Sequence, residues 1–157
     1  MQEEDLNKLK EIAKNLRNLN SKIKLISLLE KAKKEFELNK YSDCEKTCRE
    51  ILKKDSQSFV ALRGLGCVYQ ARKDYNSALK YYEKALEFSK NKEIEYTLIG
   101  TIYYIQDDLE KAIEFYNLAI DINDSYENAY EGRNQAMLEN HLRIIDLQDN
   151  LIKRNLF

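Results

Sequence analysis

The chain has 157 residues and a formal net charge of −1, a length that predicts one domain and a charge that gives no support for bulk nucleic-acid binding. Zero proline and four glycines favour long helices with short turns over strands joined by many turns. No segment approaches the ~18 apolar residues of a membrane span, and the first residues, Gln2-Glu3-Glu4-Asp5, do not resemble a signal peptide. These features predict a soluble, cytoplasmic protein.

The leading segment, residues 3–19, has the pattern of an amphipathic helix. Its apolar residues continue in 3-4-3-4-3 spacing, which is typical of a coiled-coil seam: Leu9, Ile12, Leu16, Leu19, Ile23 and Ile26. Asn18, Asn20 and Ser21 predict a break in this helix, with Ser21 as the N-cap of the next one. Residues 1–24 are therefore interpreted as a separate N-terminal amphipathic helix, packed on the rest of the fold or on a second copy of the protein.

One pattern then recurs every 34 residues. Cys44, Ala78 and Ala112 are aligned by this period, and Leu65-Gly66-x-x-Tyr69 is repeated as Ile99-Gly100-x-x-Tyr103. Each copy predicts two antiparallel helices, in which the small residues allow close approach and aromatic residues fill the space between the helices. The predicted pairs are 25–38 with 41–54, 59–72 with 75–89, and 93–106 with 109–121.

Residues 127–155 predict a last helical segment. Its start, with Tyr130 and Met137, is similar to the first helix of another copy, but Asn134 stands where the small residue is expected. After Asn140 the apolar residues lie on one side and polar residues elsewhere. The segment 127–157 is interpreted as a cap that covers the last pair and solubilises that end of the stack.

The 34-residue pattern resembles the tetratricopeptide repeat family, whose period is ~34 residues. The resemblance covers residues 25–126 as three repeats, 25–58, 59–92 and 93–126. It implies an all-α solenoid of antiparallel helix pairs wound into a right-handed superhelix. The proline usual near the end of each repeat is absent, and Ser56, Lys90 and Asp124 stand in its place.

Few residues suggest chemistry. Cys44 and Cys48 lie at repeat positions reserved for core residues, and the only histidine, His141, is far along the chain, so no metal site is predicted. No glycine-rich phosphate loop or nucleophile–histidine pair is present. The sequence predicts a non-enzymatic protein without cofactors.

The resemblance implies that the first helix of each repeat lines a concave groove. The groove positions that we identify as candidate partner-binding residues are Ile26, Leu29, Lys33, Phe36, Val60, Arg63, Cys67, Gln70, Ile94, Thr97, Leu98, Thr101 and Tyr104. The lysine and asparagine clamp of family members that bind acidic chaperone tails is absent, because Leu29 and Lys33 stand there. The groove is rather apolar, which favours a peptide or helix of a partner, with Phe36 and Tyr104 as aromatic anchors and Arg63 fixing polarity; alternatively, a terminal helix of the chain covers it.

Two other functions are considered. A leading helix, three repeats and a short tail are similar in architecture to the chaperones of type III secretion translocators. A self-assembling structural module is the other, through the N-terminal helix or the ends of the repeats. The distribution of charge bears on self-assembly. Residues 1–92 have 21 Lys and Arg and 14 Asp and Glu, a net charge of +7, whereas residues 93–157 have 5 and 13, a net charge of −8. This asymmetry indicates either ordinary solvated helix faces or a bipolar surface.

Overall fold

The computed structural model describes the backbone of residues 2–155 and the side chains of residues 5–153. The predicted end segments include residues 1, 156 and 157, which lie outside the described residues. Throughout residues 2–155 the regular structure is helical: α1 Gln2–Glu37, α2 Tyr41–Lys54, α3 Phe59–Ala71, α4 Tyr75–Phe88, α5 Lys92–Ile105, α6 Leu109–Ile122 and α7 Glu127–Asn155. The three predicted helix pairs are present, and their ends lie within a few residues of those predicted, except that α1 begins at Gln2 and not at residue 25. In this range no helix combines the length and apolar content needed to cross a membrane.

The turn inside each pair has one geometry, repeated at the 34-residue period. Asn39, Lys73 and Asp107 all adopt left-handed backbone conformations, with φ of 57°, 62° and 70°. This conformation ends a helix because the next amides bond back to its last carbonyls, as the Asp74 amide does to the Tyr69 carbonyl at 2.9 Å. Asp74 then caps α4 by accepting from the Ser77 amide. The chain thus makes these turns without glycine or proline.

Helices pack in chain order. α1 packs on α2, α3 on α4 and α5 on α6, and each pair also packs on the next, with α7 completing the stack against α6 and α5. Glycines set the spacing at two tyrosines: a Cβ on Gly66 would lie 2.3 Å from the ring of Tyr82, and one on Gly132 would lie 2.5 Å from the ring of Tyr116. The helical solenoid predicted from the repeat pattern is therefore confirmed.

The predicted break near Ser21 is wrong. α1 continues as one helix from Gln2 to Glu37, across the predicted boundary between residues 24 and 25. Ser21 does not cap a new helix; its hydroxyl donates to the Arg17 carbonyl one turn back, at 3.0 Å, a bond that keeps the residue within a helix. No proline or glycine interrupts the segment, and the side chains of residues 5–24 are all exposed, so no tertiary contact forces a bend.

Only the first half of α7 lies against the preceding helices. Ala129 and Ala136 are fully buried against the preceding helices, and Arg143 bonds to Asp107 in the turn before α6. From Ile144 to Lys153 every side chain is exposed. The first half of α7 covers the last repeat, and the second half extends beyond it.

A carboxylate ties the first pair to the second. Glu45 of α2 accepts hydrogen bonds from Arg72 at the end of α3, at 2.6 Å, and from Arg49 and Tyr69. These bonds, that of Arg72 foremost, lower the pKa of Glu45 to about 2 from its ordinary 4.5. The ionised form is therefore stabilised by folding.

We expect Glu45→Gln to lower the free energy of unfolding at pH 7 by about 1–2 kcal/mol, because solvent screens the partly exposed arginines and reduces the full linkage value. A lowered carboxyl pKa contributes stability above the unfolded value and loses it as pH falls toward the folded one. The difference between wild type and variant should thus shrink between about pH 4.5 and pH 2. Urea unfolding at pH 7 and at pH 2 measures it, and a constant difference would contradict the assignment.

Candidate functional site

A concave pocket of about 480 Å³ lies between α1 and α3, with α2 as its floor. We call it the α1–α3 pocket. Its wall is mostly aliphatic, aromatic and thiol groups, with a few charged side chains at its edge. The lining residues are Leu29, Glu30, Ala32, Lys33, Phe36, Glu37, Cys44, Cys48, Val60, Ala61, Arg63, Gly64 and Cys67.

The pocket exists because a ring is missing from the floor. Cys48 is the twenty-fourth residue of its repeat, and the following repeats have Tyr82 and Tyr116 there. Both tyrosines are buried, at 0% and 3% exposure, and fill the space beside their neighbouring helices. A thiol is much smaller than a phenol ring, so the same space next to Cys48 stays open.

The opposite wall is small as well. Gly64 is the sixth residue of its repeat, where the next repeat has Leu98, and Leu98 packs in the cluster that contains Tyr82. A Cβ on Gly64 would meet only the Cys48 Sγ within 4 Å, at 2.9 Å. At the end of the stack, Gly132 faces Tyr116 instead. We call the contact between one helix pair and the next helix a junction: Cys48 with Gly64 is the first, Tyr82 with Leu98 the second and Tyr116 with Gly132 the third. Only the first junction pairs two small residues.

A buried ion pair lies next to the pocket. Arg63 donates from Nε to Glu95 Oε1 at 2.7 Å, across the junction between α3 and α5, and its guanidinium is 5.6 Å from the Phe59 ring centre. The Glu95 side chain is 0% exposed and that of Arg63 is 22% exposed. Glu95 Oε2 is buried without a hydrogen-bond partner among the described side chains. The charge of Arg63 is thus compensated inside the fold.

The pocket cysteines have the character of core residues. Burial raises the pKa of the thiols of Cys44, Cys48 and Cys67 above their ordinary value, so they stay protonated and weakly nucleophilic. Across the described residues, no three or more His, Cys, Asp or Glu side chains are grouped so as to hold a metal ion. The wall therefore offers apolar contact area, with the donors and acceptors at its edge.

Six of the thirteen candidate groove residues line the α1–α3 pocket: Leu29, Lys33, Phe36, Val60, Arg63 and Cys67. Four others make hydrogen bonds within the fold. Gln70 accepts from Tyr82, Thr97 donates to the Glu93 carbonyl, Thr101 accepts from Tyr116, and Tyr104 donates to Glu139.

The remaining three lie apart from the pocket. Ile26 is 55% exposed on α1, Ile94 is half-buried, and Leu98 packs in the core of the second junction. The role of these seven residues in partner binding stays a prediction.

Sequence reasoning missed part of the pocket lining. Ala32, Cys44, Cys48 and Ala61 are not among the thirteen candidate groove residues, yet all of them line the pocket. The signal was present in the repeat alignment, where Cys48 replaces an aromatic residue. Its meaning depends on Gly64, which lies on another helix.

Comparison with known proteins agrees with the repeat pattern. Family models described as "Tetratricopeptide repeat" match residues 59–92 and residues 96–126, which are the second repeat and most of the third. No curated protein matches the sequence. The two matched repeats contribute one wall of the α1–α3 pocket, through α3.

Solved structures share the fold at low sequence identity. The first TPR of Spaghetti (RPAP3) bound to an HSP90 peptide is 17% identical, with a TM-score of 0.66, and the match covers 73% of this chain and 91% of that one. The Yersinia enterocolitica type III secretion chaperone SycD, in complex with a peptide of the translocator YopD, is 17% identical with a TM-score of 0.66, covering 74% and 94%.

A Thermobaculum terrenum O-GlcNAc transferase is 18% identical, with a TM-score of 0.68 over 74% of this chain but 22% of the enzyme. Tetratricopeptide repeats are in general interaction modules that stack into extended concave surfaces. The matched models identify residues 59–92 and 96–126 as tetratricopeptide repeats, and the seven helices of residues 2–155 have the fold of these tetratricopeptide repeat neighbours.

Proposed function

We propose that this protein is a non-catalytic adaptor that binds a segment of a partner protein in its concave groove, with one large apolar side chain of the partner in the α1–α3 pocket. The observation that carries the proposal is the pocket itself, a 480 Å³ apolar space at a place that the next repeats fill with their own tyrosines. Apolar side chains seated in such pockets dominate the binding energy of many interfaces.

The pocket is suited to an aromatic or long aliphatic side chain. A cavity of about 150 Å³ lined by apolar groups holds a benzene ring, so the available space accommodates one ring and part of the adjoining backbone. Phe36 stands at the wall with its ring 5.5 Å from that of Tyr41, which positions it for aromatic contact. Lys33 and Glu37, paired at 3.8 Å at the edge, offer contacts of either sign to the flanking residues.

For Arg63 we propose a role other than the one expected from the sequence. Its ion pair with Glu95 occupies the Nε donor, so we assign it to holding α3 against α5 rather than to fixing the polarity of the partner. The orientation of the bound segment then depends on Lys33, Glu30 and Glu37.

Filling the pocket provides the test. Random 12-residue peptides displayed on phage are selected against the wild-type protein, and the affinities of the selected peptides are measured by fluorescence polarisation. Cys48→Phe places a ring where the next repeats have one, and we expect binding at least about tenfold weaker, because an excluded anchor loses roughly 1.5–3 kcal/mol. Selected peptides should share a large apolar residue.

Cys48→Ala is the matched control, since it changes the same position and leaves the pocket open. It should keep wild-type affinity within about threefold, and circular dichroism should show both variants folded. Equal peptide affinities of Cys48→Phe and Cys48→Ala would show that the pocket takes no part in binding, and the binding site would then lie elsewhere in the groove. A library that yields no binder would count against peptide binding as a whole.

The narrower role of a type III secretion translocator chaperone stays a prediction. The likeness to SycD covers 94% of that chain, but at 17% identity it concerns the fold alone. Co-purification with a secreted membrane-inserting protein, lost in Cys48→Phe, would support it. Self-assembly, also expected from the sequence, is a property separate from the groove.

A further inference from the structure

The N-terminal part of α1 carries an apolar row that nothing in the described chain covers. Its six residues, which we call the α1 seam, are each 53–62% exposed: Leu9, Ile12, Leu16, Leu19, Ile23 and Ile26. They follow one another at alternating distances of three and four residues, so they form one continuous stripe along the helix. The unbroken course of α1 makes this stripe a single rigid surface.

The repeats use another face of α1. Leu25, Leu28, Leu29 and Ala32 pack into the first core cluster, whereas Ile23 and Ile26, which lie between and beside them in sequence, point away and remain exposed. A projecting helix of this kind has marginal stability in water. The seam therefore indicates a helical partner that has the same spacing.

We propose that the α1 seam pairs with the same seam of a second copy of this chain, independently of groove binding. The charge pattern is compatible with self-pairing. Between residues 13 and 27 the positions that flank the seam are uncharged except Lys22, and the basic residues lie on the opposite face of the helix. The uncharged flanking residues are Ala13, Asn15, Asn20 and Ser27, and the outward basic ones are Lys14, Arg17 and Lys24.

The size of the surface indicates a weak but specific association. Residues 9–26 span about 27 Å of helix, and pairing two such stretches removes roughly 1,000 Å² from water, at the lower end of specific interfaces. The exposed half of α7 is a poorer match, because Asp149 interrupts its row Leu138, Leu142, Ile145 and Ile152. We therefore expect a dimer with a dissociation constant in the micromolar range.

Sedimentation velocity of the full chain at several concentrations tests the pairing. Wild type should move from the 18.6 kDa monomer to the dimer as concentration rises through tens of micromolar. Leu16→Asp should shift the dissociation constant upward by at least about tenfold, because it places charges in the apolar interface. Ser21→Asp adds the same charge on the other face of α1 and should behave as wild type.

Disulfide cross-linking distinguishes parallel from antiparallel pairing of the two helices. Under copper–phenanthroline oxidation, Leu16→Cys alone should cross-link if the helices are parallel, and a mixture of Leu16→Cys with Leu19→Cys should cross-link best if they are antiparallel. Lys14→Cys, on the outer face, is the control and should form no disulfide-linked dimer, because its thiols lie away from the paired seams. A monomer at all concentrations, or a dimer equally strong in Leu16→Asp, would overturn the proposal while leaving the groove function untouched.

Discussion

Arg63→Ala is expected to lower the free energy of unfolding by about 3–5 kcal/mol. The loss arises from the effect on Glu95, the partner of Arg63. The Glu95 side chain is 0% exposed. Its Oε1 accepts from Arg63, and its Oε2 has no hydrogen-bond partner among the described residues. Without the guanidinium a carboxylate stays buried with no compensating charge, which is strongly unfavourable. Urea unfolding followed by circular dichroism at pH 7 measures the loss.

A double variant separates the charge effect from packing. Arg63→Leu combined with Glu95→Leu removes both charges and replaces them with apolar groups, so its stability should lie close to wild type. A loss of less than about 1 kcal/mol in Arg63→Ala would mean that Glu95 reaches water by itself. The ion pair would then not be the clamp between α3 and α5.

Tyr82→Ala is expected to cost about 3–5 kcal/mol, as other deletions of a buried aromatic ring do. Its ring is fully buried and lies within 2.3 Å of where a Cβ on Gly66 would stand. Its hydroxyl donates to Gln70 Oε1 at 2.7 Å, a bond that the variant also loses. The remaining space would reproduce at the second junction the opening that the first junction already has.

Cys48→Ala is the comparison for this prediction. Cys48 occupies the same repeat position but borders the open α1–α3 pocket, so removing one sulfur there should cost less than about 1.5 kcal/mol. Thermal or urea unfolding of both variants gives the two values. Equal losses would contradict the view that the first junction is open and the second is closed.

The candidate site could be predicted only in part. Leu29, Lys33, Phe36, Val60, Arg63 and Cys67 follow from the repeat position of each residue, and all of them line the pocket. The partners of Gln70, Thr101 and Tyr104 are 12, 15 and 35 residues away. Such separations along the sequence follow no helical period, so the sequence does not show which hydroxyl bonds to which acceptor.

The sequence by itself determined the helix pairs, because each depends on local features repeated every 34 residues: small residues where the helices approach and aromatic residues between them. Only the tertiary structure decided the rest. Cys48 and Gly64 leave a pocket because they face each other across two helices. Glu95 is paired because Arg63 reaches it from another repeat. α1 runs on past Ser21 because nothing packs there to bend it, and such contacts depend on how helices meet in space.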